Sequence, residues 1–366
     1  MSDEVPILLT PGPLTTRRET REAMLRDWGS RDGDFISMVA DMRRRLLDVA
    51  HGGDGHTAVP LQGSGTFIVE AAIATLVGPG DKLLVLVNGA YGERMMDIAA
   101  RLGRSAVALR WEEDEPVDPV AVDEALARDP AITHVALVHC ETTSGLLNPM
   151  AEVARTVADR GRTFLLDAMS SFGALEIDLR KTPITAILAS SNKCLEGVPG
   201  IGFAIVEKGA LTAAKGNCPS LSLDLHDQWS GFEKNGQWRF TPPVQVVAAL
   251  REALRIFEAE GGQPGRLKRY RENLDVLLSG MRGLGFELYL DERLQAPIIA
   301  TFRSPGGFDF QSFYDALAAR GFVIYPGKLT KAESFRIGCI GAVDREDFIR
   351  LMNVIREIVP HAQHSA

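Results

Sequence analysis

The chain has 366 residues, 45% hydrophobic and 24% charged, with 40 Lys and Arg against 48 Asp and Glu for a net charge of -8. That length accommodates one large domain and one smaller one, and the acidic balance excludes a nucleic-acid surface, which needs concentrated positive charge to displace counterions. No membrane partner is expected, because the longest apolar runs, LLVLV at 83–87 and VALV at 135–138, are too short to cross a bilayer.

The opening MSDEVPILLTPGP has no basic stretch ahead of an apolar core, so no signal peptide is expected, and residues 1–14 read as an N-terminal segment. From about residue 57 to 206, short apolar runs alternate with amphipathic stretches. HTAVPLQG is strand-like, and TFIVEAAIATLV has helical spacing up to the stop at GPG. DKLLVLVNG is a strand, and YGERMMDIAARLG a helix ended by Gly103. THVALVHCE, RTFLLDA and AILASSNK continue the strand series, with PMAEVARTVADRG as a helix between the first two, and GIGFAIV closes it. Apolar strands separated by helices predict an α/β fold with a mainly parallel sheet covered on both faces. In such sheets the chemistry sits beyond the carboxyl ends of the strands.

After residue 241 the pattern changes. PPVQVVAALREALRIFEAEGG predicts a long helix, and GGQPG at 261–265 a hinge. RLKRYRENLDVLLSGMRGLG (helix), APIIATF (strand), FDFQSFYDALAARG (helix), VIYPG, FRIGCIG and DREDFIRLMNVIREIV (helix) make an α+β set. The predicted division is therefore a large domain over 15–262 and a small C-terminal domain over 263–366. The four cysteines, Cys140, Cys194, Cys218 and Cys339, form no CxxC pair and no ligand cluster with the seven histidines, so no metal site is expected and a reducing cytoplasm fits.

Three places carry candidate chemistry. Gln62-Gly63-Ser64-Gly65-Thr66 lies between a predicted strand and helix, where glycines admit an anion to free helical N–H groups and hydroxyls add donors; a plain tight turn would look the same. Asp167 ends the apolar strand TFLLD, where an aspartate otherwise serves as a cap, but where a carboxylate can also keep a pyridine nitrogen protonated. Lys193 follows an apolar strand and small hydroxyl residues and precedes a glycine-rich stretch. A lysine that forms an imine must shed its proton, which a confined, partly desolvated site favours. Asp167 and Lys193, 26 residues apart, end two strands and point to one sheet edge. Together with QGSGT they meet the three demands of pyridoxal 5′-phosphate: phosphate, ring nitrogen and aldehyde.

TPGPLT, QGSGTFIVEAAI, NGAYGERM, HCETTSGLLNP, DAMSSFGA, SSNKCLEGVPGIGF, RFTPP and FRIGCIG, in that order through nearly the whole chain, resemble the class V, fold-type I aminotransferases. Within that family, CETTSGLLNP and SSNKCLEGVPG resemble the members that move an amino group from 2-aminoethylphosphonate to pyruvate; alanine–glyoxylate and serine–pyruvate transamination are the alternative. The resemblance implies pyridoxal 5′-phosphate bound covalently by Lys193, with Asp167 on its ring nitrogen and Ser64, Gly65 and Thr66 on its phosphate. It further implies Tyr91 stacked on the ring, Thr142 on the ring hydroxyl, and Thr241 reaching the phosphate from a neighbouring subunit, so that the active unit is a homodimer. Arg336, between apolar neighbours in SFRIGCIG, would pair with the keto-acid or amino-acid carboxylate, and Arg31, in DWGSRDGDF at 27–35, would line the substrate entrance and meet a phosphonate. Arg94 would steady the Tyr91 loop. Related lyases carry a histidine before the lysine, where this chain has Asn192, and a dinucleotide-binding reading lacks the GxGxxG spacing and leaves Lys193 unexplained.

Overall fold

A computed structural model describes residues 5–362. Its elements in chain order begin with β1 (Ile7–Leu8), α1 (Arg18–Glu22), α2 (Gly33–Val49), β2 (His56–Gly63), α3 (Gly65–Leu76), β3 (Lys82–Val87), α4 (Ala90–Arg101) and β4 (Ser105–Arg110). Then come α5 (Pro119–Arg128), β5 (His134–Val138), the short β6 (Cys140–Glu141) and β7 (Leu146–Leu147), α6 (Met150–Asp159), β8 (Thr163–Asp167), β9 (Ala186–Ser190) and β10 (Gly200–Glu207). Helices α7 (Lys208–Ala213), α8 (Leu225–Asn235), α9 (Val244–Ala259) and α10 (Gly262–Gly283) follow. The chain ends with β11 (Ile299–Arg303), α11 (Phe310–Ala318), β12 (Phe322–Val323), β13 (Tyr325–Pro326), β14 (Ser334–Gly338) and α12 (Arg345–Ala362).

Seven strands form one sheet in the order β2-β10-β9-β8-β5-β3-β4. Strand β10 alone runs against its neighbours, pairing antiparallel with both β2 and β9, while β9, β8, β5, β3 and β4 are parallel throughout. The near-continuous apolar strands follow from burial on both faces. In β3, Leu83, Val85 and Val87 enter one core and Leu84 and Leu86 the other, as a period of two requires. Helices α2, α5, α6 and α9 cover one face, and α3, α4, α7 and the start of α8 the other. The order reverses between β3 and β5, the place where an open parallel sheet leaves a crevice beyond its carboxyl ends.

A second sheet, β11-β14-β13, is antiparallel and packs with α10, α11 and α12 around a separate apolar core. The N-terminal β1 pairs in parallel with β12. The hydrophobic patterning predicted most of the inner elements. It missed β4, an edge strand whose AVAL run is only partly buried, and α5, although Asp118 caps it by accepting from Val120 N–H and Pro119 opens its first turn. THVALVHCE is not one strand: it breaks at His139, whose N–H bonds to the Asp167 carbonyl before β6 begins. VIYPG likewise splits at Ile324 into β12 and β13.

The predicted hinge at 261–265 is instead a tight corner between two helices. Gly261 (φ 98°) and Gly262 (φ 66°) reverse the chain, and Pro264 sits in the first turn of α10, where a missing N–H costs nothing. A Cβ on Gly265 would stand 2.0 Å from the Glu260 carbonyl oxygen, whereas one on Gly283, at the other end of α10, would meet nothing within 4 Å. Two glycine-to-alanine changes on one helix should therefore have opposite effects. Gly265→Ala lowers the unfolding midpoint, and Gly283→Ala raises stability by about 0.5 to 1 kcal/mol through the smaller entropy lost on folding; urea denaturation of the two variants checks both signs.

Candidate active site

The edge of the large sheet concentrates chain ends. Strands β2, β5, β8 and β9 all finish there, at Gly63, Val138, Asp167 and Ser190, and the antiparallel β10 begins there opposite Gly63. Beyond this edge lies a cavity of about 420 Å³ whose wall includes Ser64, Gly65, Thr66, Tyr91, Asp167 and Lys193. Six of the residues singled out from the sequence are thus in one place, although they span 130 positions of chain.

Lys193 is half-buried and its Nζ donates to the Pro11 carbonyl oxygen, so the N-terminal TPGP turn closes one side of the cavity. Gly12 presses on the same side chain: a Cβ there would lie 2.8 Å from Nζ. Burial pulls the Lys193 ammonium down to about 8, partly opposed by the negative charge of Asp167, while the Arg336 cation adds to the depression. At pH 7 that leaves roughly 300-fold more neutral amine than an ordinary lysine carries. Asp167 is 5% exposed and accepts from Met169 N–H at 2.9 Å. Burial pushes its carboxyl up to about 6, against the lowering pull of that hydrogen bond and of Lys193 and Arg94. One wall thus holds an easily neutralised amine and a strained carboxylate.

Ser64 precedes α3 with extended backbone and no capping bond, so its hydroxyl is not spent on the helix, and Ser64, Gly65 and Thr66 line the cavity at the start of α3. Gly63 (φ 134°) makes the turn possible, and a Cβ on it would strike the Phe67 ring at 2.6 Å. The Thr66 hydroxyl accepts from Arg94 at 3.3 Å, and the Arg94 guanidinium lies over the Tyr91 ring, 4.8 Å from its centre. Arg94 therefore belongs to the cavity wall, in contact with both Thr66 and Tyr91.

Other predicted positions lie elsewhere. Thr142 is buried outside the cavity lining, and it is its backbone carbonyl that has a partner, the Arg336 guanidinium at 2.9 Å. Arg336, on the central strand of the second sheet, is 1% exposed, and its hydrogen bonds go to the carbonyls of Thr142 and Pro326. Burial lowers its pKa, with Tyr91 and Glu141 opposing. A buried guanidinium bonded only to carbonyls keeps its charge available for an anion. Thr241 is exposed just before α9, and Arg31 is exposed in the turn before α2; neither lines the cavity. The rest of DWGSRDGDF does not line it either: Trp28 packs on the sheet core and Phe35 is buried in the first turn of α2.

Three buried polar groups escaped the sequence reading. The Ser190 hydroxyl, in the cavity wall, has no hydrogen-bond partner. Glu141, fully buried, accepts from Thr143 N–H and Oγ1 and from Tyr91 N–H, joining the turns after β3 and β5, and burial raises its carboxyl to about 7. His139 bonds Ser171 Oγ at 2.9 Å, and burial lowers its imidazole to about 4. Each lies in a segment whose pattern shows only apolar strand and small residues, so nothing local marks it.

A model of the aminotransferase class-V family matches residues 19–336. The chain belongs to that family. The enzyme is 53% identical to a 2-aminoethylphosphonate–pyruvate transaminase of Pseudomonas putida over 97% of both chains, and 54% identical to one of Burkholderia ambifaria over 96% of this chain and 95% of that one. Its fold matches an aspartate aminotransferase of Thermus thermophilus (TM-score 0.88, 26% identity, 97% and 99% covered) and a pyridoxamine–pyruvate aminotransferase of Mesorhizobium loti (TM-score 0.92, 24% identity, 100% and 95% covered). The family's cofactor is pyridoxal 5′-phosphate, and the cavity offers an amine, a carboxylate and a hydroxyl-lined helix start for its aldehyde, ring nitrogen and phosphate. The partnerless Ser190 hydroxyl in the same wall points to a polar occupant.

Asp167 also yields a pH prediction for the cofactor-free chain. Its carboxyl binds a proton more tightly folded than unfolded, so its contribution to stability falls as pH rises from about 4 to about 6, by on the order of 3 kcal/mol in all. Asp167→Asn is therefore expected to melt higher than the parent at pH 8 and alike at pH 4, while losing cofactor on dialysis. Equal melting at pH 8 would contradict the buried-carboxylate argument.

Proposed function

We propose that the enzyme transfers the amino group of 2-aminoethylphosphonate to pyruvate, releasing phosphonoacetaldehyde and L-alanine. The observation that carries this reading is an amine of lowered basicity, Lys193, sharing a cavity with the buried acid Asp167, in a chain 53% identical to a transaminase of that name. When bound, pyridoxal 5′-phosphate supplies an aldehyde for covalent attachment and a cationic ring that takes up the electron pair left by a departing proton.

The residues do the rest. Lys193 Nζ would be the point of attachment for the cofactor, and as a free amine the same nitrogen would hold and move the proton of the donor's amine-bearing carbon. The Asp167 carboxylate would hold the ring N–H. Ser64, Gly65 and Thr66 would receive the phosphate at the start of α3, and Tyr91 would offer its ring to the cofactor. Arg336 pairs with the carboxylate of pyruvate and alanine, and Thr142 contributes by fixing that guanidinium through its carbonyl.

Thr241 enters this reading by way of a second copy, reaching the phosphate of the neighbouring site, and the active unit is a homodimer in the cytoplasm. Exposed Phe67 on α3 and Phe240 beside Thr241 suit such contact. Among the described residues no helix is long and apolar enough to cross a membrane. The working division into a large domain and a small one falls at the α9–α10 corner.

Titrating the purified enzyme tests the substrate assignment. 2-Aminoethylphosphonate is expected to bleach the visible band of the bound cofactor and pyruvate to restore it; inertness to that amine with response to serine or to alanine and glyoxylate would overturn the donor. Lys193→Ala should leave no borohydride-trappable link between protein and cofactor. Arg336→Lys, which keeps charge but loses the planar fork, should raise the KM for pyruvate about tenfold to a hundredfold, measured by steady-state kinetics at saturating donor.

A further inference from the structure

Behind the turn that carries Lys193 lies a set of buried charges that the transfer chemistry does not use. Glu196, three residues on, is 2% exposed and stands in the left-handed region (φ 58°), which a side chain occupies only when its surroundings hold it there. Its N–H bonds the Lys193 carbonyl at 2.8 Å, and Gly197 N–H bonds the Ser191 carbonyl at 2.8 Å, so the turn closes around the lysine. The Glu196 carboxylate accepts from Arg269 Nη2 and from the Tyr270 hydroxyl, both at 2.7 Å, with Arg266 Nη1 at 3.4 Å. Arg266, fully buried, also donates to the Cys194 carbonyl and to Glu260. Two arginines and two glutamates balance in charge, and all but Glu196 belong to the α9–α10 corner or to α10.

The same groups continue toward the other sheet. Arg269 Nη1 donates to the carbonyls of Gly341 (2.5 Å) and Val343 (2.7 Å), and the Tyr270 hydroxyl accepts from Gly341 N–H at 3.3 Å. That segment leaves β14, the strand bearing Arg336. Lys193 follows β9 of the large sheet and Arg336 stands on β14 of the second, and the Glu196 carboxylate bonds α10 residues that reach the chain after β14.

We propose that Glu196 is a positioning residue for both Lys193 and Arg336, holding the lysine-bearing turn against α10 and, through Tyr270 and Arg269, against the chain that follows β14. The inference rests on the roles assigned above to those two residues. Glu196 touches no reacting atom. It keeps the amine confined beside Asp167 while the guanidinium holds the acceptor, and a misplacement of about 1 Å between two such groups can cost a hundredfold in rate.

The test uses the full chain with and without cofactor. Glu196→Gln preserves shape but leaves the buried Arg266 and the partly buried Arg269 facing a single carboxylate. In the cofactor-free chain, trace acetylation of Lys193 across pH, read by mass spectrometry, reports its titration among Asp167, Arg336, Cys140 and Cys194, the groups that bear on it electrostatically. The expected result is titration about one unit higher than in the parent, as the amine escapes toward solvent. In the loaded enzyme kcat falls at least tenfold and the KM for pyruvate rises. Tyr270→Phe, which removes one bond to Glu196, moves all three readouts the same way by less, and it decides the matter should Glu196→Gln fail to fold. A variant that melts lower yet keeps the Lys193 titration, kcat and KM of the parent overturns the proposal, because a merely structural network would do that. A parent Lys193 that labels like any surface lysine instead defeats the reading of the lysine itself.

Discussion

An amine that has to lose its proton near neutral pH needs a place that dislikes charge, and the enzyme provides it by ending four strands of one sheet around Lys193. Strand ends supply small and polar groups in close quarters while the apolar strands behind them exclude water. Desolvation lowers the lysine, and the same desolvation raises Asp167. The two effects would each cost stability alone. Side by side, the charges partly relieve one another, and a cationic ring bound over Asp167 would complete the relief.

The second sheet contributes through Arg336, and a buried guanidinium is expensive to keep. Its carbonyl partners, Thr142 on the large sheet side and Pro326 on its own, orient it without neutralising it. Glu141 stands near it as well, fixed by the turns that carry Tyr91 and Thr143. Arg94 lines the cavity together with Asp167 and Lys193, and the Arg336 cation bears on Lys193 electrostatically from outside that lining.

Much of this was legible beforehand, for identifiable reasons. The strands β2, β3, β5, β8, β9 and β10 announce themselves by apolar runs bounded by turn residues, and Lys193 and Asp167 stand out because each breaks such a run at its carboxyl end. Thr142 was read as a side-chain contact, but strand β5 stops early and turns its successor into a hairpin, which buries that side chain and offers the carbonyl instead. Arg31, expected at the substrate entrance, is exposed in the turn before α2 and does not line the cavity. Glu196 carries no local mark, since its side-chain partners are distant in sequence: Arg269 is 73 residues away.

The sequence alone determined the alternation of strand and helix, hence a parallel sheet with its chemistry at one edge, and the residue types needed there, because both depend on short-range periodicity and on where a run of apolar residues is interrupted. Tertiary structure decided which of those residues share a cavity, that Arg336 bonds only carbonyls, that Arg94 joins the wall, and that a glutamate in a left-handed turn meets Arg269 and Tyr270 of α10. Those are matters of distance and desolvation between segments far apart in the chain, and no local pattern encodes them.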